Sequence, residues 1–231
     1  MLDFIGTIVL VAAIIVSINA LTGAIPISTS QRIALSLGAG LWTGLAAALA
    51  GANLFLGSNP LGPPTIGTVI TLPLIATAVA AWISPSVRAT LLGMPMPFLI
   101  GLNIWRVGGG FFLLLAAEGR LGGPFPTSAG WGDIITGVLA LPVAWLALRS
   151  QGRALVWTWN AFGMLDLVAA IMLGVISANG SPLQMIHAGD GSEAVQVLPW
   201  SLIPTVLVPM YLIVHGIIFA KLAQGSQRVP A

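Results

Sequence analysis

A few polar side chains stand in stretches otherwise apolar enough to cross a bilayer, and their types could do proton or ion chemistry. Arg106 lies in NIWRVGGGFFLLLAAEGR, Asn160 and Asp166 in WNAFGMLDLVAAIMLGV, and His215 in LVPMYLIVHG. An arginine at mid-bilayer costs about 2.5–3.5 kcal/mol on insertion scales, so Arg106 must face protein or water. On an α-helix, Asn103, Arg106 and Gly110 share one face with Gly109 beside them. Gly108, Gly109 and Gly110 would let a neighbouring helix come close and shift. Asp166 lies within roughly 5 Å of the depth of Arg106 and is the favoured counter-charge. Asp133 is the second choice, because it falls in the first turn of its own span, where the helix dipole alone could stabilise it. Nearer the cytoplasm, at roughly 7–9 Å from that edge, come Asn103, Asn160 and His215, with Tyr211 one turn from His215. Asn160, Gly163 and Asp166 sweep one side of their helix.

These residues need membrane helices to position them. Of 231 residues, 57% are hydrophobic and 6% charged, against roughly 25% charged in a soluble domain, so the charges cannot wet a globule of this length. The expected architecture is an all-α polytopic transmembrane bundle of seven spans, forming one integral membrane domain over 1–231. The spans fall at about 4–25, 33–56, 66–83, 97–117, 132–148, 154–178 and 198–220. A barrel would alternate apolar and polar residues, which this chain does not.

Charge supports the count. With seven spans, one side collects Arg32, Arg88, Arg149, Arg153, Lys221 and Arg228, and the other Asp3, Glu118, Arg120, Asp190 and Glu193. The bias places the N-terminus outside and the C-terminus in the cytoplasm. Asp3 stands where a cleaved signal would carry a cation, so the first span is read as retained. A net charge of +2 without a basic cluster predicts no nucleic-acid partner, and no cysteine is present.

Other residues invite blander readings. His187, Asp190 and Glu193 are spaced three apart in the outer loop, and a helix cap at Asp190 completed by Glu193 is preferred to a metal site. Trp131, Trp157, Trp159 and Trp200 near span ends are read as headgroup anchors. Pro204 and Pro209 free the carbonyls of Trp200 and Thr205 and bend the last span. Lys221 is the chain's one lysine and sits at a helix end, so a mid-helix retinal Schiff base is excluded. HExxH, GxSxG and phosphate-loop motifs are absent; no catalytic residue, cofactor or metal is predicted, and the enzyme question leans to no.

The segments WRVGGGFFLLLAAEGRLGGPFP, AGWGDIITG, WNAFGMLDLVAAIMLGV and LPWSLIPTVLVPMYLIVHG resemble those of uncharacterised bacterial multi-pass membrane proteins, over about 103–216. The resemblance implies a bacterial inner membrane and supplies no activity, cofactor or substrate.

Three classes of function remain. The intramembrane polar residues put first a small-solute or proton-coupled transporter or channel, whose cavity among spans four, six and seven would open to the cytoplasm. A small polar or anionic solute would use Arg106 as counter-charge while Asp166 is protonated. The second class is a structural or assembly subunit with a dry ion pair, an oligomer of itself or part of a membrane complex. The third is a lipid- or cofactor-binding protein with a closed pocket near His215.

Overall fold

The structure, a computed structural model, describes residues 1–149 and 151–226; Arg228, one of the positive charges counted above, lies outside the described residues. Helix α1 spans Leu2–Ala24, α2 Thr29–Gly51 and α3 Gly62–Ile83. A short α4, Pro85–Gly93, precedes α5, Met96–Gly101, which continues through a 3₁₀ segment, Leu102–Gly109, into α6, Gly110–Ala117. Then come α7, Phe125–Leu148, α8, Arg153–Ile176, a π-helical segment, Ile203–Leu207, and α9, Val208–Ser226. Among the described residues there is no strand, and seven helices are long and apolar enough to cross a membrane.

The helix ends follow local chemistry. Ser28 opens α2 with a capping box: its hydroxyl accepts from the Gln31 N–H, and the Gln31 side chain accepts from the Ser28 N–H. Pro63 and Pro64 sit in the first turn of α3, where a missing N–H costs nothing. Gly152 precedes α8 at φ 69°, a left-handed turn that suits glycine.

Three expectations need correction. The fifth helix begins at Phe125 rather than near 132, so Asp133 lies two turns inside it, roughly 12 Å from its start. Phe125 and Pro126, read as loop, are buried and helical. The fourth span is not a uniform α-helix, because its centre tightens to 3₁₀. Trp131 and Trp157 are exposed on the bundle surface, but Trp159 and Trp200 are buried and not anchors. Trp159 donates to the Thr136 carbonyl at 3.0 Å. Trp200 donates to Asp3 at 2.7 Å, and Asp3 also accepts from Arg120 at 2.8 Å. This clasp joins the start of α1 to the turn after α6 and to the last loop.

The last loop, 177–202, folds over the same end. Ser192 donates to the Gly174 carbonyl at 2.6 Å, and the Gly122 N–H donates to the Gly191 carbonyl at 2.8 Å. The expected Asp190 cap is absent: the 3₁₀ turn Glu193–Gln196 follows Ser192 without a side-chain cap, and Asp190 offers only its carbonyl, to the Glu193 N–H at 3.2 Å.

Helix α7 packs against α5, the 3₁₀ segment, α6 and α8, while α9 fills the centre. Buried residues make up 61% of the α9 span window but 11% of those of α2 and α3, which therefore form the periphery. Apolar clusters around Phe112, Phe125, Leu167 and Trp200 at the upper end (the end bearing Leu2) and around Leu99, Val143, Trp159 and Ile218 at the lower end enclose the polar residues between them.

Candidate buried polar site

Arg106 is 2% exposed and holds four elements together. Its Nε donates to Asp133 Oδ1 of α7 at 2.7 Å, and Nη2 to Asp166 Oδ2 of α8 at 2.6 Å. Nη1 donates to the Gly163 carbonyl of α8 at 3.0 Å and to His215 Nε2 of α9 at 3.1 Å. Both candidate partners therefore bind the one guanidinium. The helix-dipole account of Asp133 fails, because α7 starts earlier and carries that carboxylate to mid-bundle.

Glycines make this approach possible, though not the expected ones alone. In a 3₁₀ segment residues three apart eclipse, so Asn103, Arg106 and Gly109 align. A Cβ on Gly109 would collide with Asp133, whereas one on Gly108 would meet nothing within 4 Å and one on Gly110 only Ile134, at 3.8 Å. Gly108 and Gly110 are thus not close-packing positions. Gly163 is: a Cβ there would lie 2.7 Å from His215 and 3.0 Å from Arg106 Nη1. Sequence reasoning missed Gly132, which makes room for the Asp166 carboxylate, and Gly137, whose Cβ would lie 2.7 Å from the Val107 nitrogen. The small residues Ala129, Gly132, Thr136 and Ala140, at three- and four-residue intervals on α7, with Gly137 next to Thr136, were the available signal.

His215 is wholly buried, and its tautomer follows from its partners. Arginine only donates, so Nε2 must accept; Nδ1 then carries the proton and donates to Asn160 Oδ1 at 2.7 Å. Asn160 returns a bond from Nδ2 to the His215 carbonyl at 3.1 Å. Asn103 Nδ2 donates backward to the Leu99 carbonyl at 3.2 Å. Its Oδ1, Thr136 Oγ1 and the Tyr211 hydroxyl are buried without a hydrogen-bond partner among the described residues.

The residues expected to share a cavity divide: Arg106 and Tyr211 border a small one. Asn103, Asn160, Asp166 and His215 line none of three cavities that border the bundle core. A cavity of about 260 Å³ lies in the upper half among α3, α7, α8, the π segment and the last loop, with Asp133 in its wall. A smaller one, of about 30 Å³, is bordered by Arg106, Asp133 and Tyr211. At roughly 10–15 Å³ of such space per water, it can hold about two. Asp133, Leu167, Ile203 and Val208 border both. A groove of about 660 Å³ runs lower down between α3 and α8 over α9.

The cluster sets one guanidinium against two carboxyl groups, with His215 a neutral acceptor, so charge balance asks for one proton or one cation. The second oxygens of Asp133 and Asp166 make no hydrogen bond among the described residues. The Asp133 side chain is 12% exposed against 1% for Arg106, so it is the more accessible of that pair. Among the described residues no three His, Asp or Glu side chains converge as metal ligands, and His187, Asp190 and Glu193 form no such group.

The model of a family described as a domain of unknown function, DUF8737, matches residues 63–223. No curated protein and no solved structure matches the chain.

Proposed function

The chain belongs to the DUF8737 family, and from that premise we propose that it is an integral membrane protein of the bacterial inner membrane, N-terminus outside, coupling proton exchange at the Arg106 cluster to a small solute. One observation carries this reading: Asp133 is both a ligand of Arg106 and part of the wall of the 260 Å³ cavity. A proton on a carboxyl oxygen that Arg106 does not bind would neutralise the cluster. Its departure would leave a negative charge facing the cavity. The small chamber beside Tyr211, with its unpartnered hydroxyl, could hold the water through which that proton moves. Because two carboxyls already occupy Arg106, an anionic solute loses the counter-charge that the sequence reading assigned to it.

A second reading, a structural or assembly subunit, is favoured by the enclosure of Asn160 and His215, which line none of the three cavities described and join α8 to α9. On this account Asn160 and His215 hold helices together, and the Arg106 ion cluster does the same without exchanging protons.

Proton flux into vesicles containing the purified protein, read with a trapped pH-sensitive dye under an imposed potential, tests the proposal. Asp133→Asn and Asp166→Asn should each reduce the protein-dependent flux by about tenfold or more, while Glu193→Gln on the loop leaves it unchanged. Thermal unfolding of each variant separates lost flux from lost folding. Flux equal to that of empty vesicles would leave the structural reading.

A further inference from the structure

We infer that the upper cavity takes a small, mostly apolar cation, an alkyl- or arylammonium, with its charged group on Asp133. The inference rests on the proposed exchange at Asp133 and names the class of solute. The wall is made largely of side chains that can only pack, among them Phe55, Ile70, Phe112, Phe125, Leu167 and Ile171. Its polar members are nearly all used by the protein. Gln196 accepts from the Gly57 N–H at 2.8 Å and donates to Ser192 Oγ at 3.1 Å, and Ser192 donates to the Gly174 carbonyl. Thr71 donates to the Gly67 carbonyl at 2.8 Å, and Ser181 Oγ accepts from the Leu183 N–H at 3.1 Å.

Asp133 differs from these. One of its oxygens is on Arg106 and the other has no hydrogen bond among the described residues. The wall contains no cationic side chain, so nothing there would compensate a buried anion. A ligand with one positive, hydrogen-donating end would complete the charge balance that Arg106 leaves short by one. The remainder of the ligand should be mostly apolar, because most of the wall can only pack and its few hydroxyl and amide groups already make hydrogen bonds to the protein. The volume, about 260 Å³, lies just below the roughly 300–1,000 Å³ of drug-sized sites, so the body should be small.

Asp133 also borders the small chamber, and a cation bound to it would compete with a proton for the same charge. That competition is the form that coupling would take: arrival of the ammonium displaces the proton, and arrival of the proton releases the ammonium. No covalent bond is made or broken.

Hexylammonium, hexanol and hexanoate, equal in chain length and different in charge, are the probes. Binding to the full chain in detergent would be read by calorimetry, with protein-free micelles as the partition control. Hexylammonium should bind saturably and about tenfold or more tighter than either other probe, the range of one charge-assisted hydrogen bond. Asp133→Asn should remove that preference. Ala170→Phe, which fills the cavity away from the ion cluster, should remove binding while preserving the thermal transition, and so covers the case in which Asp133→Asn fails to fold. Equal affinity for hexanoate, or hexylammonium binding that survives Ala170→Phe, overturns the inference. Asp133-dependent proton flux without hexylammonium binding would sink the solute class and keep the exchange. Hexylammonium binding without such flux would keep the site and sink the exchange.

Discussion

Arg106 shows how far one buried charge organises its neighbours. Arg106→Met leaves Asp133 and Asp166 facing each other without a cation, and breaking a buried pair in this way costs about 3–5 kcal/mol. Adding Asp166→Leu should not restore stability, because Asp133 stays buried and uncompensated. The triple change Arg106→Met, Asp133→Asn, Asp166→Leu should recover most of the loss. Unfolding free energies in mixed micelles would decide it, and full rescue by the double change would mean that Asp133 is not a partner. His215 gives a separate check. Its bonds to Arg106 and Asn160 require the neutral form with the proton on Nδ1, so nitrogen NMR of histidine-labelled protein should report that tautomer. A proton on Nε2 would contradict the cluster.

At the scale of the element, two departures from α-helical geometry set the site. The 3₁₀ segment turns Arg106 and Gly109 onto one face, and the π segment before α9 carries Ile203 and Pro204 beside the cavities. Pro209 cannot donate to the Thr205 carbonyl, and that oxygen accepts the Trp42 indole N–H at 3.2 Å, tying α2 to the centre. The Trp200 carbonyl is satisfied instead by the Ile203 N–H at 3.0 Å. Glycine substitutions should sort by what a methyl meets. Gly132→Ala places Cβ onto the Asp166 carboxylate and should lower the melting temperature sharply, with a loss of about 1–3 kcal/mol as for other overpacked sites. Gly108→Ala meets nothing and should be neutral or slightly stabilising, since alanine favours helix by up to about 1 kcal/mol. Comparable damage from both would show that the α7 contact is not as tight as described.

Across the whole molecule, the two ends of the bundle agree with the charge pattern in sequence. Asp3, Glu118 and Arg120 meet at one end, while Lys221 donates to the Leu92 carbonyl and Arg153 to the Leu222 carbonyl at the other. Which end faces the cytoplasm is the positive-inside expectation. In cells, a single cysteine at Glu118 should react with an impermeant thiol reagent, and one at Arg88 only after the membrane is opened. Both positions are exposed, and the chain has no other cysteine to confuse the readout. Gly122 is unsuitable, because any side chain there would strike the Ala188 carbonyl. Labelling of Arg88→Cys from outside would reverse the orientation.

The sequence by itself determined that seven helices of this chain can cross a membrane and that Arg106, Asn160, Asp166 and His215 lie within them, because apolar length and the cost of a buried charge are local properties. It also placed Arg106 and Asp166 at similar depth, since rise per residue converts directly to height. Only the tertiary structure decided that Asp133 shares the guanidinium. That depended on α7 starting at Phe125, and Gly-Pro-Phe-Pro reads as a turn until packing buries it. The position of the larger cavity was likewise beyond the sequence: a cavity was expected around Arg106, Asp166 and His215, and the larger one lies against Asp133, with Arg106 and Tyr211 bordering only the small chamber. Periodicity gives the face of a helix, but which faces meet, and where they fail to fill the space between them, is set by the volumes of side chains distant along the chain.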